Sequence, residues 1–140
     1  MQRIFTLLIT LFSFYNCASQ RNLIQISSEE IPVLNSTKVE HSGQNEIKIF
    51  STQEEFDEFQ LNLPQTHPRS APIVSLDFTT KKAVAIYMDQ IGSYQIENLE
   101  IKNNKGTLNL KSIEGYQNPS SANLIILEIP KEITQLTLKK

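Results

Sequence analysis

The chain has 140 residues, 39% of them hydrophobic and 20% charged, with a formal net charge of −2. That length fits one domain of ordinary size, and the balance of apolar and charged residues is that of a globular protein. The small charge argues against a nucleic-acid surface, which needs a clustered basic stripe, and the single Cys can form neither an internal disulfide nor a Cys-rich metal site.

Residues 1–16 read as an address rather than as part of the fold. Arg3 supplies a positive start, and Ile4 to Tyr15 is a mostly apolar run without Asp or Glu. The run is of signal-peptide length and short of the roughly 20 residues that span a bilayer as a helix. It ends at Asn16-Cys17-Ala18-Ser19-Gln20. This pattern resembles a bacterial lipoprotein signal, in which the Cys after the apolar run is acylated and becomes the new N-terminus. The alternatives are a plain secretory signal cut near Ala18, with Cys17 discarded, and an uncleaved anchor. Acylation adds about 0.8 kcal/mol of membrane affinity per buried methylene, so several chains on Cys17 hold a protein on a bilayer. The expected location is the bacterial cell envelope, lipid-anchored, with a secreted or periplasmic protein as the alternative.

Residues 17–30 read as a polar tether, although Leu23, Ile24 and Ile26 have the spacing of an edge strand. The domain is expected over 31–140. Ile31-Pro32-Val33-Leu34 is a short apolar run that its Pro restricts to a strand start or edge. Ser42-Gly43-Gln44-Asn45 is a turn signal. Glu46 to Phe50 alternates as a strand with one wet face, and Ser51 and Thr52 both offer capping-box spacing to Glu54 and Glu55. Phe56, Phe59 and Leu63 then form one apolar stripe before Pro64, which predicts a helix over 53–62. Pro64, Pro68 and Pro72 describe a loop.

Ala83 to Met88 is apolar on both faces and reads as a central strand. Tyr94 and Ile96 share one phase while Leu99 and Ile101 share the other, which requires a bulge near Glu97-Asn98. Asn103-Asn104-Lys105-Gly106 reads as a hairpin turn with Gly supplying the positive φ. Further strands follow around Leu108 and Leu110, over Asn123 to Ile129, and at Leu136 and Leu138, in what reads as an antiparallel meander. The fold class is α+β, mainly β: an antiparallel sheet forming a small sandwich or partly closed barrel with one short helix.

Several segments line up with one family. Residues 46–59 give a strand and then Ser-Thr-Gln-Glu-Glu-Phe-Asp-Glu-Phe. Asp77-Phe78 precedes the apolar strand, Gly92-Ser93-Tyr94 forms a turn, and Ile129-Pro130-Lys131 comes late. This order resembles the C-terminal domain of the PrcB family, named for a lipoprotein subunit of a bacterial surface protease complex. The resemblance covers roughly residues 31–139. The family's Gly-Gly-Tyr turn reads Gly92-Ser93-Tyr94 here, and its Pro-Tyr falls at Asn123-Leu124. The resemblance implies a non-catalytic envelope domain that binds or stabilises a protein partner such as a protease.

No catalytic motif stands out. Ser93 lacks the Gly-x-Ser-x-Gly elbow, so a turn is the simpler reading. Glu54, Glu55, Asp57 and Glu58 crowd one helix instead of facing each other across a cleft, and they suit the helix start. His41 and His67 read as exposed histidines, and neither a metal nor a cofactor is expected. Asp77 is placed to cap the turn that follows it, with Phe78 packing inward. Tyr87, Tyr94 and Tyr116 suit half-core packing or a binding rim. The expected partner-binding loops are Gly92, Ser93 and Tyr94 together with Tyr116, Asn118 and Pro119. The run 116–121 also resembles the Asn-Pro-Thr-Thr loop of chagasin-type cysteine-protease inhibitors, whose loops wedge from one end of a β-sandwich into a protease cleft. The leading expectation is a non-catalytic lipoprotein accessory module, with a protease inhibitor and an envelope enzyme as the alternatives. An enzyme requires a pocket with convergent polar groups.

Overall fold

The computed structural model describes residues 22–40, 45–63, 74–115 and 122–140. Within them lie β1 (Ile24–Ser27), β2 (Val33–Thr37), β3 (Glu46–Phe50), α1 (Gln53–Leu61), β4 (Lys81–Tyr87), β5 (Tyr94–Lys102), β6 (Lys105–Ser112), β7 (Leu124–Pro130) and β8 (Gln135–Lys139). The strands form two open four-stranded sheets, β1-β5-β6-β8 and β2-β7-β4-β3. The fold is α+β, mainly β: a sandwich rather than a closed barrel, with α1 as a third layer.

The apolar character of β4 on both faces follows from that layering. Val84, Ile86 and Met88 face the first sheet and meet Leu99, Ile101, Leu108, Leu110 and Leu136 in one core. Ala83, Ala85 and Tyr87 face the other way, into a second cluster with Phe50 and Phe56. Leu99, Leu108, Leu127 and Ile129 are at most 1% exposed. Each contributes about 1.5–3 kcal/mol of burial before the entropy of ordering.

Small side chains at Ala83 and Ala85 leave room for the helix. Thr52 is its N-cap, accepting from the Glu55 N–H at 3.3 Å. The Glu55 carboxylate accepts from the Ser51 N–H at 3.2 Å. The stripe behaves as its spacing predicts: Phe56 is fully buried, and the Phe50 ring lies 5.6 Å from Phe56 and 4.7 Å from Phe59. Two glutamines then hold the chain that returns toward β4. Gln53 Oε1 accepts from the Leu76 N–H at 3.0 Å, and Gln60 Oε1 accepts from the Val74 N–H at 3.2 Å.

Four details depart from the sequence reading. The segment 17–30 gives its last part to the fold, because Ile24–Ser27 pairs with β5 as an edge strand and Ile26, opposite Leu99, packs on the core while Ile24 stays half exposed. The C-terminal strands are not a meander: β7 belongs to the second sheet, and β8 returns to lie parallel to β6. In the β5–β6 turn, Asn103 and Asn104 carry the positive φ values of 52° and 62°, a conformation that short polar side chains tolerate. Gly106 is needed for space instead. A Cβ there would lie 2.8 Å from Leu136 Cδ1 and 3.3 Å from Leu99 Cδ1. The phase switch in β5 falls where expected, with the register shifting between Ile96 and Asn98.

The strands give the sandwich two distinct ends. At the entry end lie the start of β1, the Asn103–Asn104 hairpin, the start of β4 and the connection from β7 to β8. The Thr134 N–H donates to the Asn104 carbonyl at 2.8 Å, and the Lys131 N–H donates to the Thr80 carbonyl at 3.2 Å. At the loop end lie the exits of β4 and β6 and the starts of β5 and β7. The nine residues of β5 separate the two ends by about 27 Å.

Candidate functional site

The loop end is organised around the short 3₁₀ turn Ile91–Ser93. Gln90 precedes it in the left-handed region, with φ 54°, which reverses the chain after β4. The Ser93 N–H donates to the Gln90 carbonyl at 2.8 Å, and the Ile113 N–H donates to the Ser93 carbonyl at 3.0 Å. The Gly92 N–H donates to the Ala122 carbonyl at 2.9 Å. The turn therefore ties together the exits of β4 and β6 and the start of β7.

Asn123 completes this bracket. Its main chain accepts from the Met88 N–H at 3.0 Å and donates to the Thr37 carbonyl at 3.2 Å. Its side chain then acts as a substitute for one more residue of strand. Oδ1 accepts from the Val39 N–H and Nδ2 donates to the Val39 carbonyl, both at 2.8 Å. Val39 is 6% exposed, so these bonds satisfy two backbone groups with restricted access to water.

The structure thus brings Gly92, Ser93 and Tyr94 together with the flanks of both loops at this end. Val39 and Glu40 lead into 41–44, and Gly115, with φ 75°, leads into 116–121. Tyr116, Asn118, Pro119, His41 and His67 lie outside the described residues, as does Cys17. Ser93 is 7% exposed, whereas Gly92 and Tyr94 are half-buried. The Lys140 ammonium sits 5.4 Å from the Tyr94 ring centroid. Tyr87 is a core residue on the helix side, with Lys48 Nζ 5.6 Å from its ring centroid. Burial, reinforced by the charge of Glu46, pushes the Tyr87 phenol above its ordinary value.

A second polar feature lies on the outer face of the first sheet. After the bulge in β5, Asn98 and Glu100 point outward beside Asn109 of β6. Asn109 is 8% exposed, and its Nδ2 donates to Asn98 Oδ1 at 2.6 Å and to Glu100 Oε1 at 3.0 Å. These residues, with Glu97, Leu110, Lys139 and Lys140, line an open depression of about 270 Å³. It presents carboxylates and amides beside two ammonium groups, a lining able to hydrogen-bond a polar ligand. The alternation of β6 marks Asn109 as outward, but the wet phase of a strand does not distinguish a buried amide network from a solvated face. The Asn123 clamp has no signal in the sequence.

Asp77 is at the entry end. Its Oδ1 accepts from the Thr79 hydroxyl and, at 3.0 Å, from the Thr79 N–H, and Oδ2 accepts from the Thr80 hydroxyl at 3.2 Å. The Thr79 bonds, followed by the Thr80 bond and the charge of Lys131, hold its carboxyl below the ordinary carboxylate value. Phe78 packs inward on Phe56, at 6.2 Å between ring centroids. Among the described residues, no three His, Cys, Asp or Glu side chains converge as metal ligands, and no helix is long and apolar enough to cross a membrane. No family model, curated protein or solved structure matches the chain.

Proposed function

We propose that the chain is a non-catalytic lipoprotein of the bacterial envelope, acylated at Cys17, whose PrcB-like sandwich presents its loop end to a protein partner. The observation that carries this reading is the polarity of the fold. The chain enters β1 at Ile24, seven residues after Cys17, and the described residues that flank 41–44 and 116–121 lie at the opposite end. A body held at one end offers the other to its surroundings. The partner class implied by the resemblance is a surface protease or its complex. Intact-mass analysis of the protein from native membranes tests the anchor, with an N-terminal acylated Cys17 as the expected result. Crosslinking from positions in 116–121 tests the partner. Recovery of the same protein from a position on the outer face of β6, and not from the loop, overturns the loop assignment.

The bond from the Gly92 N–H to the carbonyl of Ala122, the residue that follows 116–121, at one end of a sandwich, also favours a chagasin-like inhibitor of cysteine proteases. That reading predicts inhibition of papain-like enzymes and its loss on Asn118→Ala with Pro119→Ala. A double variant as potent as the parent removes it.

A further inference from the structure

Resting on the acylated reading above, we propose that the entry end of the first sheet lies against anionic lipid headgroups, so that the sandwich stands end-on with its loop end away from the bilayer. Three observations meet there. The first is reach. Seven residues from Cys17 to Ile24 span at most about 25 Å when fully extended, which keeps the start of β1 close to the surface that holds the lipid. The second is apolar exposure. Leu23 and Ile24 are 57% and 50% exposed at the point where the chain enters β1. The third is charge. Ile24 pairs with Ile101, next to Lys102, and Lys102 pairs with Lys105 across the hairpin. Both lysines are exposed, as is Lys131 on the adjoining connection.

Lys131 is offset by Glu132, the next residue, and by Asp77, whose carboxylate its charge favours, so the unbalanced cations of this end are Lys102 and Lys105. Glu54 and Glu55 are in the first turn of α1, and Asp77 lies in the turn before β4, on the helix side of the sandwich. Glu128 is paired with Lys81 at 3.1 Å. The end is therefore divided, cationic and apolar along β1 and the β5–β6 hairpin, acidic along the helix. An anionic surface attracts the first and repels the second, so the first sheet leans toward the lipid and α1 away from it. Farther along the same sheet, Glu97 and Glu100 stand against Lys111, Lys139 and Lys140, a smaller cationic excess than at the hairpin and one without the exposed Leu23 and Ile24, which favours the end-on pose over one lying flat.

Acylation occupies the one native Cys, so a single introduced Cys is the only thiol a dye can take. Donor dyes at Gln135→Cys, at the entry end, and at Glu114→Cys, at the loop end, are read by energy transfer to acceptor lipid. The acylated protein is reconstituted in vesicles of phosphatidylcholine with phosphatidylglycerol, or of phosphatidylcholine alone. The expected result is strong transfer from position 135 and weak transfer from 114 on the anionic vesicles, and a smaller difference on the neutral ones. Lys102→Glu with Lys105→Glu lowers the ratio of apposed to free bodies at least about 25-fold, roughly fivefold per lysine removed. Both positions are exposed hairpin flanks, so an unchanged thermal melt controls for folding. Equal transfer from the two positions on anionic vesicles, or transfer unmoved by the charge reversal, overturns the inference while leaving the anchor intact. A mass without acyl chains, with Cys17 itself taking dye, overturns the anchor and the inference together.

Discussion

Replacing Asn123 by Ala isolates the contribution of the loop-end clamp. The substitution removes both side-chain bonds to Val39, each 2.8 Å long, and leaves an N–H and a carbonyl unpaired beside a residue that is 6% exposed. An unpaired buried polar group costs about 1–3 kcal/mol, and the position at one end of the sandwich lets water recover part of that. The expected loss is therefore about 2–4 kcal/mol, or a fall of roughly 10 °C in the melting temperature for a domain of this size. Urea denaturation followed by circular dichroism gives the free energy, and amide exchange gives its location, with protection of the Val39 N–H lost ahead of β4. Asn123→Asp sharpens the test. Its carboxylate still accepts from the Val39 N–H but faces the Val39 carbonyl oxygen without a proton to donate. Folding then favours the protonated acid and raises its pKa, so the variant is weakest near neutrality and recovers part of its stability below about pH 4. An Ala variant within about 0.5 kcal/mol of the parent would refute the argument that this amide acts as a missing residue of strand.

Three further outcomes follow from the packing and the titratable groups. Gly106→Val places two methyl groups where a single Cβ already meets Leu136 Cδ1 at 2.8 Å, and a loss of about 2–3 kcal/mol is expected in chemical denaturation; a neutral result means that β8 gives way freely. Asp77 has a folded pKa below its ordinary 3.8, so its stabilising effect is complete above that value and is lost as pH falls through the folded pKa. Asp77→Asn should flatten the acid limb of the stability profile, with the Thr79 amide shift as the residue-level reporter. Tyr87 has its pKa raised above 10.0, so its contribution is complete below the unfolded value and is lost as pH rises through the folded one. Ultraviolet titration of the tyrosines should show a late component that is absent in Tyr87→Phe.

Side-chain period carried most of the fold in readable form. The two-sided apolar run at Ala83–Met88, the phase switch in β5 and the Phe56–Phe59–Leu63 stripe each place a particular side chain against a particular layer, and each is found there. Sheet partnership was not readable in the same way. β7 and β8 have the pattern that either sheet requires, and only three-dimensional closure decides that β8 returns parallel to β6. Asn103 and Asn104 show the same limit at small scale: the turn is evident, but a nearby Gly draws the positive φ in a sequence reading, whereas close packing of Leu136 is what requires Gly106. At the candidate site, Gly92, Ser93 and Tyr94 were visible as turn chemistry. Asn123 was not, because a bond to Val39 spans 84 positions of the sequence and leaves no local mark.

That long-range clamp bears on how the loop end works. The Gly92 bond to Ala122 and the two Asn123 bonds to Val39 fix the chain just before Glu40 and just after residue 121. Segments that leave from fixed points lose less conformational freedom when a partner orders them, and that saving passes directly into affinity. Asn123→Ala should therefore weaken partner capture by more than its effect on the folded fraction, when measured well below the melting temperature. Titration of the immobilised partner with parent and variant separates the two contributions. An affinity unchanged after correction for unfolded protein would mean that the clamp serves the sandwich alone. A further loss would mean that the residue holding β2 to β7 also sets the cost of recognition at the loop end.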